Sequence, residues 1–227
     1  MYPGGVTPAV EEYDPATDTW TYKADLPTAR LGLATGAIEG TIFAIGGVAG
    51  DLTAPALQTV EAYNPATDAW TQKTDMPTAR GYFSTSVLNG KIYAVGGTPS
   101  NWKGNISTVE EYDPVTDTWT KGPNMPTARA MPSSGVVDNK IYVIGGTTAY
   151  WPWSGAATVE EYDLGPTPSV SLIWEGGKIK LTCRGILQSA DTLNGPTWQD
   201  VTPAPKCPWV FDPAQSGTMK FYRARQP

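Results

Sequence analysis

The chain contains no histidine. That removes the side chain most often used as a general base near neutral pH, and the commonest protein metal ligand with it. Cysteine is scarce as well: only Cys183 and Cys207 occur, so a zinc centre of thiolates and imidazoles has no ligand set. No catalytic residues, metal or cofactor are therefore expected. Charge is sparse at 17% of residues, with 22 acidic side chains against 16 basic ones and a formal net charge of −6. The clustered lysine and arginine of a nucleic-acid or anionic-membrane surface is missing. No run approaches the ~20 apolar residues a membrane helix requires, and the N-terminus shows no charged-then-apolar leader.

What is plentiful is glycine (24), proline (21), tyrosine (11) and tryptophan (9), a mix suited to short strands joined by tight turns. Self-comparison finds one dominant period of about 50 residues, in the range of repeat architectures. Tyr13, Tyr63, Tyr112 and Tyr162 head its copies, and the first three run on to Trp20, Trp70 and Trp119. Three segments, EEYDPATDTWTYKADLPTAR, EAYNPATDAWTQKTDMPTAR and EEYDPVTDTWTKGPNMPTAR, share most of their positions.

Upstream of each later tyrosine an apolar run closes on a glycine pair: TIFAIGG, KIYAVGG and KIYVIGG, ending at Gly47, Gly97 and Gly146. Such runs predict central strands buried on both faces. The glycines allow close backbone approach or positive φ as each strand ends. Glu39-Gly40, Asn89-Gly90 and Asp138-Asn139 just before the runs predict two-residue hairpin turns. The strands preceding those turns (LGLATGAI, GYFSTSVL, AMPSSGVV) are rich in small residues, as innermost strands crowded around a hub would be. After each tyrosine, Asp-Pro or Asn-Pro opens a turn that the following Thr-Asp can cap.

A glycine pair after an apolar strand, then Tyr-Asp-Pro, a tryptophan seven residues after the tyrosine, and Met-Pro or Leu-Pro before an arginine together resemble the kelch motif, over residues 2–163. The resemblance implies an all-β fold of propeller blades, each a four-stranded antiparallel sheet. Residues 29–77 and 79–126 read as complete blades, 128–163 as three strands, and 8–26 as a third and fourth strand only. An incomplete ring of about three blades would expose strand edges and apolar faces. Two compatible remedies are expected: the chain is the C-terminal part of a longer secreted protein, or it forms a two-fold homo-oligomer whose N-terminal strands complete the partner's last blade to make a six-bladed ring.

Gly165-Pro166-Thr167-Pro168 has linker composition, which divides the chain into a propeller segment, 1–164, and a second domain, 165–227. The second domain reads as short strands of a small β-sandwich. Its Leu187-Gln188-Ser189-Ala190, Asn194-Gly195-Pro196, Trp198 and Phe221-Tyr222-Arg223 are similar to C-terminal sandwich modules of secreted bacterial proteins, which implies sorting, attachment or spacing. Cys183 and Cys207 fall on separate predicted strands, where a disulfide would help so small a core; two buried thiols are the alternative.

Arg30, Arg80 and Arg129 end three Pro-Thr-Ala-Arg turns and are expected in a partial ring at one rim, either binding an acidic ligand or serving as blade framework. Glu11, Glu61, Glu110 and Glu160 alternate along third strands, facing those arginines or water. Trp20, Trp70 and Trp119 are read as packing between blades. Residues that break the repeat are better ligand candidates, because the fold does not require them. The loops after the glycine pairs carry Trp102, Lys103, Tyr150, Trp151 and Trp153, and the starts of the inner strands add Tyr82, Phe83 and Met131. Flat rings beside arginine suit stacking on sugars or anchoring a protein. The expected function is a non-catalytic extracellular or cell-surface module that recognises a glycan or protein, with neither nucleic acid nor membrane insertion involved. A sugar-processing enzyme of mutarotase or hydrolase type and an adhesive repeat protein are the alternatives. Some kelch propellers are copper oxidases, but a chain without histidine departs from that pattern.

Overall fold

A computed structural model describes residues 5–50, 54–99, 104–149 and 154–164 in full, and beyond them the backbone of 169–175, 178–184, 186–190, 199–200, 209–211 and 221–225. The chain divides into two compact units, Met1–Asp163 and Leu164–Pro227. No helix occurs among the described residues; the fold is all-β.

The first unit repeats one plan. β1 (Val10–Asp14) and β2 (Thr19–Lys23) form a hairpin on their own. β3 (Ala34–Ile38), β4 (Thr41–Ile45), β5 (Val60–Asn64) and β6 (Ala69–Lys73) form a four-stranded antiparallel blade in sequential order. β7 (Ser84–Leu88), β8 (Lys91–Val95), β9 (Val109–Asp113) and β10 (Thr118–Lys121) repeat it. β11 (Ser133–Val137), β12 (Lys140–Ile144) and β15 (Val159–Asp163) make a third sheet of three strands. β13 (Thr147–Ala149) and β14 (Ser154–Gly155) form a small hairpin, which the sequence did not predict, in the loop after the last glycine pair.

Local chemistry accounts for these elements. The inner hairpins turn at Glu39-Gly40, Asn89-Gly90 and Asp138-Asn139, and all six residues have positive φ, as a primed two-residue turn demands. The outer hairpins turn through Asp18, Asp68 and Asp117, also at positive φ. Each of these aspartates accepts the hydroxyl of the tyrosine five residues earlier: Tyr13 at 2.7 Å, Tyr63 at 2.6 Å and Tyr112 at 2.6 Å. The tyrosine also packs on the tryptophan across from it, with ring centroids 5.0–5.1 Å apart in all three copies.

Blade faces meet in an apolar core that includes Phe43, Ile45, Val60, Met76, Phe83, Ile92 and Tyr112. Small residues on the inner strands let the blades close up. A Cβ on Gly36 would stand 3.1 Å from Ile92 Cδ1 of the next blade. The glycine pairs are stricter still: a Cβ on Gly46 would lie 2.5 Å from Arg80 O, and one on Gly96 2.7 Å from Arg129 O, distances that only glycine permits.

In the second unit, β16 (Ser169–Glu175), β17 (Lys178–Arg184) and β20 (Trp209–Phe211) pair antiparallel in one sheet. β18 (Ile186–Ala190), β19 (Gln199–Asp200) and β21 (Phe221–Arg225) form another. The Cys183–Cys207 pairing lies outside the described residues.

Candidate functional site

The repeated arginines are not rim groups. Arg30, Arg80 and Arg129 are 0–3% exposed, and each is locked inside its own blade. Arg80 Nη2 donates to Glu110 Oε2 at 2.7 Å, while Nη1 donates to Gly96 O (3.0 Å) and Thr108 O (2.9 Å). Arg129 repeats this with Glu160 Oε1 (2.6 Å), Gly145 O (2.9 Å) and Thr158 O (3.1 Å). Arg30 forms an ion pair with Glu61 at 3.0 Å and donates to Ala44 O at 2.9 Å.

Burial pulls the pKa of Arg30 and Arg80 below the ordinary arginine value, against the opposing pull of Glu61 and Glu110. A guanidinium buried this deeply, and held on carbonyls and a carboxylate of its own blade, presents no donor to a ligand at the surface. The three arginines tie the second strand, the third strand and the preceding turn of each blade together, which is the framework reading of the repeat.

Phe83 also leaves the candidate surface. It is 7% exposed and part of the core, because alternation along the inner strand turns it inward. Tyr82 and Met131, one residue nearer the rim in each copy, behave differently. Both adopt left-handed φ, 55° and 53°, at the position where the preceding blade has Gly32 at 60°. Backbone bonds join the three across successive blades: Tyr82 N donates to Gly32 O at 2.7 Å and Met131 N to Tyr82 O at 2.6 Å. The Tyr82 ring lies over Gly32, where a Cβ would stand 2.9 Å from Tyr82 Cε1. Met131 is 44% exposed.

A left-handed conformation costs a side chain with a Cβ ~1–2 kcal/mol relative to glycine. Two bulky residues, Tyr82 and Met131, hold this conformation side by side at the rim.

The variable loops spring from the same rim. Val48, Thr98 and Thr147, which follow the glycine pairs, bridge to Leu31, Gly81 and Ala130, the residues immediately before Gly32, Tyr82 and Met131. Asn105 Nδ2 donates to Thr147 O at 2.6 Å, which ties the second loop to the third. The loop aromatics Trp102, Tyr150, Trp151 and Trp153 lie outside the described residues, as does Lys103. Their stems are anchored beside Tyr82 and Met131.

At the outer edge Trp70 and Trp119 join neighbouring blades, as expected: Trp119 packs against the core, and both indoles also act as hydrogen-bonding clasps. Trp70 Nε1 donates to Ala24 O (2.9 Å) and Trp119 Nε1 to Thr74 O (3.0 Å), each reaching the blade before its own. Ala24 N and Thr74 N answer by donating to Asp68 (2.8 Å) and Asp117 (3.0 Å). Trp20 departs from the expected packing role: it is 66% exposed and reaches no acceptor among the described residues.

A family model described as the Kelch motif matches residues 29–77, 79–126 and 128–165. No curated protein matches the chain. Among solved structures the chain is similar in fold to one titled "Structure of YjhT", with a TM-score of 0.59 and 18% identity, over 79% of this chain and 73% of that one.

Proposed function

Since the chain belongs to the kelch-repeat family, whose blades are a scaffold that carries differing loops, we propose that it is a non-catalytic recognition module working outside the cell or at its surface. Its ligand is a glycan or a protein surface, bound at the rim formed by Tyr82, Met131 and the loops after the glycine pairs. The observation behind this reading is the pair of bulky residues in left-handed backbone where Gly32 marks glycine as the unstrained choice. Scaffold residues repeat here and rim residues do not, the usual division between framework and binding site. Tyrosine, with tryptophan on the loops, provides the flat, half-apolar surface that stacks on sugar rings or anchors a protein partner.

The second unit, on this reading, is the accessory part that attaches or spaces the recognition segment. A glycan array together with affinity capture from cell-surface extracts, using the full chain, tests the proposal. Binding that disappears in a Tyr82→Ala/Met131→Ala variant with an unchanged unfolding midpoint supports it. Binding that survives this variant, or slow conversion of a bound sugar, counts against it.

A further inference from the structure

The junctions between blades within the chain follow one rule, and the two ends of the first unit are the matching halves of one more such junction. At each internal junction a second glycine of the pair donates to the next blade's arginine carbonyl, Gly47 N to Arg80 O at 2.9 Å and Gly97 N to Arg129 O at 2.8 Å. The third member of that series, Gly146 N, meets no acceptor among the described residues. Nor does the first member of the receiving series, Arg30 O, meet a donor. Met131 O and Gly32 N stand in the same relation.

The outer clasp shows the same offset. Trp70 takes Ala24 O and Trp119 takes Thr74 O. The next acceptor in register is the carbonyl of exposed Pro123, and the indole left over is Trp20. The open ends are apolar: Ile144 is 49% exposed, where its counterpart Ile45 is 0% and Val95 is 1%. A Cβ on Gly145 would meet nothing closer than 3.8 Å, in contrast to the crowding at Gly46 and Gly96.

β1 and β15 carry the same five residues, VEEYD. In β15 these residues occupy the third-strand position of the last blade, where Glu160 pairs with Arg129. In β1 they are already joined to a fourth strand, and Glu11 has no arginine among the described residues. We propose that two copies of the chain exchange these hairpins: β1–β2 of one copy pairs with β12 of the other and displaces β15, so that the last blade gains its fourth strand.

In that arrangement Glu11 takes the place of Glu160 on Arg129 of the second copy, and Trp20 Nε1 meets Pro123 O of the second copy. Leu26 and Leu33, which correspond in the repeat to Met76 and Phe83, cover Ile144 of the second copy. Exchanging one VEEYD for an identical one is nearly neutral in the strand pairing itself, so the net gain comes from the two closed junctions. The described strands of one copy make up three blades and those of two copies six, within the 4–8 of closed propellers, under the two-fold symmetry commonest for such assemblies. The exchange completes the rim, and it stands whatever that rim binds.

Sedimentation equilibrium of the full chain and two single variants tests it. The wild type is expected at twice the chain mass. Glu11→Gln, an exposed change that leaves the fold intact, weakens the dimer by about 30-fold or more, the effect of losing one side of a buried charge pair. Glu160→Gln shifts the equilibrium the other way, because it weakens only the strand that competes. A wild type that stays monomeric up to high concentration overturns the proposal. So does a dimer that Glu160→Gln weakens and Glu11→Gln spares, because β15 would then be the strand retained, and so does a dimer indifferent to both.

Discussion

Replacing Arg80 by methionine separates a framework arginine from a ligand-binding one. The guanidinium side chain is 0% exposed and its partner Glu110 is 2% exposed. Removal strands a buried carboxylate that then keeps only the Thr78 contacts, of which the hydroxyl bond is 2.6 Å long, and leaves the carbonyls of Gly96 and Thr108 without this donor. Breaking one side of a buried pair costs about 3–5 kcal/mol. For a unit of this size that lowers the thermal midpoint by about 6–20 °C.

Arg80→Met/Glu110→Leu removes both charges, which by itself is close to neutral, but still leaves Gly96 O without its donor at about 1–3 kcal/mol, while Thr108 O keeps the Gly96 N–H at 3.1 Å. The double variant should therefore lose clearly less than the sum of the single ones, with a coupling of at least about 2 kcal/mol. Urea unfolding followed by circular dichroism measures all four corners of the cycle. If Arg80→Met costs under about 1 kcal/mol, or abolishes ligand binding with the midpoint unmoved, the framework assignment is wrong and the arginine belongs to the rim.

Three further outcomes follow from the geometry. Tyr82→Gly relieves left-handed strain while uncovering Gly32, so stability should change by no more than about 1 kcal/mol while ligand affinity falls by about 2 kcal/mol or more; calorimetric titration against the array hit measures the split. Trp70→Phe, which deletes the donor to Ala24 O, should cost about 1 kcal/mol in urea unfolding, whereas Trp20→Phe should leave the monomer's unfolding unchanged and weaken the dimer.

The third concerns pH. Asp68 is held below the ordinary carboxylate value by Ala24 N–H and the Tyr63 hydroxyl. Burial would raise Asp117, but the Tyr112 hydroxyl and Thr74 outweigh it and the net shift is downward. Depressed carboxylates stabilise the fold above their unfolded value of 3.8 and lose that contribution as the pH falls through their lower folded values. Tyr63 is pushed up to about 12 by its bond to Asp68 and by burial, so its contribution is complete below pH 10 and is lost as the pH rises toward 12. Unfolding midpoints should be flat between these limits and fall outside them, and Asp68→Asn should make both limbs shallower.

Much of the blade plan is legible in the sequence. Strand identity depends on alternation and turn chemistry within a few residues, so TIFAIGG, KIYAVGG and KIYVIGG announced their strands, and Asn89-Gly90 its turn. Tyr13, Tyr63 and Tyr112 with the aspartate five residues on recur in register because that bond closes a local hairpin. The site was less legible. Arg30, Arg80 and Arg129 end an exposed-looking Pro-Thr-Ala-Arg turn, and nothing nearby shows that each points back toward a glutamate some 30 residues away. The repetition itself was the usable signal, since a residue that returns with every blade serves the blade. Tyr82 and Phe83 are neighbours of similar character, yet one lines the rim and the other fills the core.

By itself, then, the sequence determined the all-β class, the repeat and its strands, because those follow from contacts within one hairpin. Only the tertiary structure decided which arginines, aromatics and tryptophans are buried. Burial in a stack of blades is set by the neighbouring unit, about 50 residues away along the chain, and Trp20 and Ile144 stand exposed where the same residue types elsewhere in the repeat are covered.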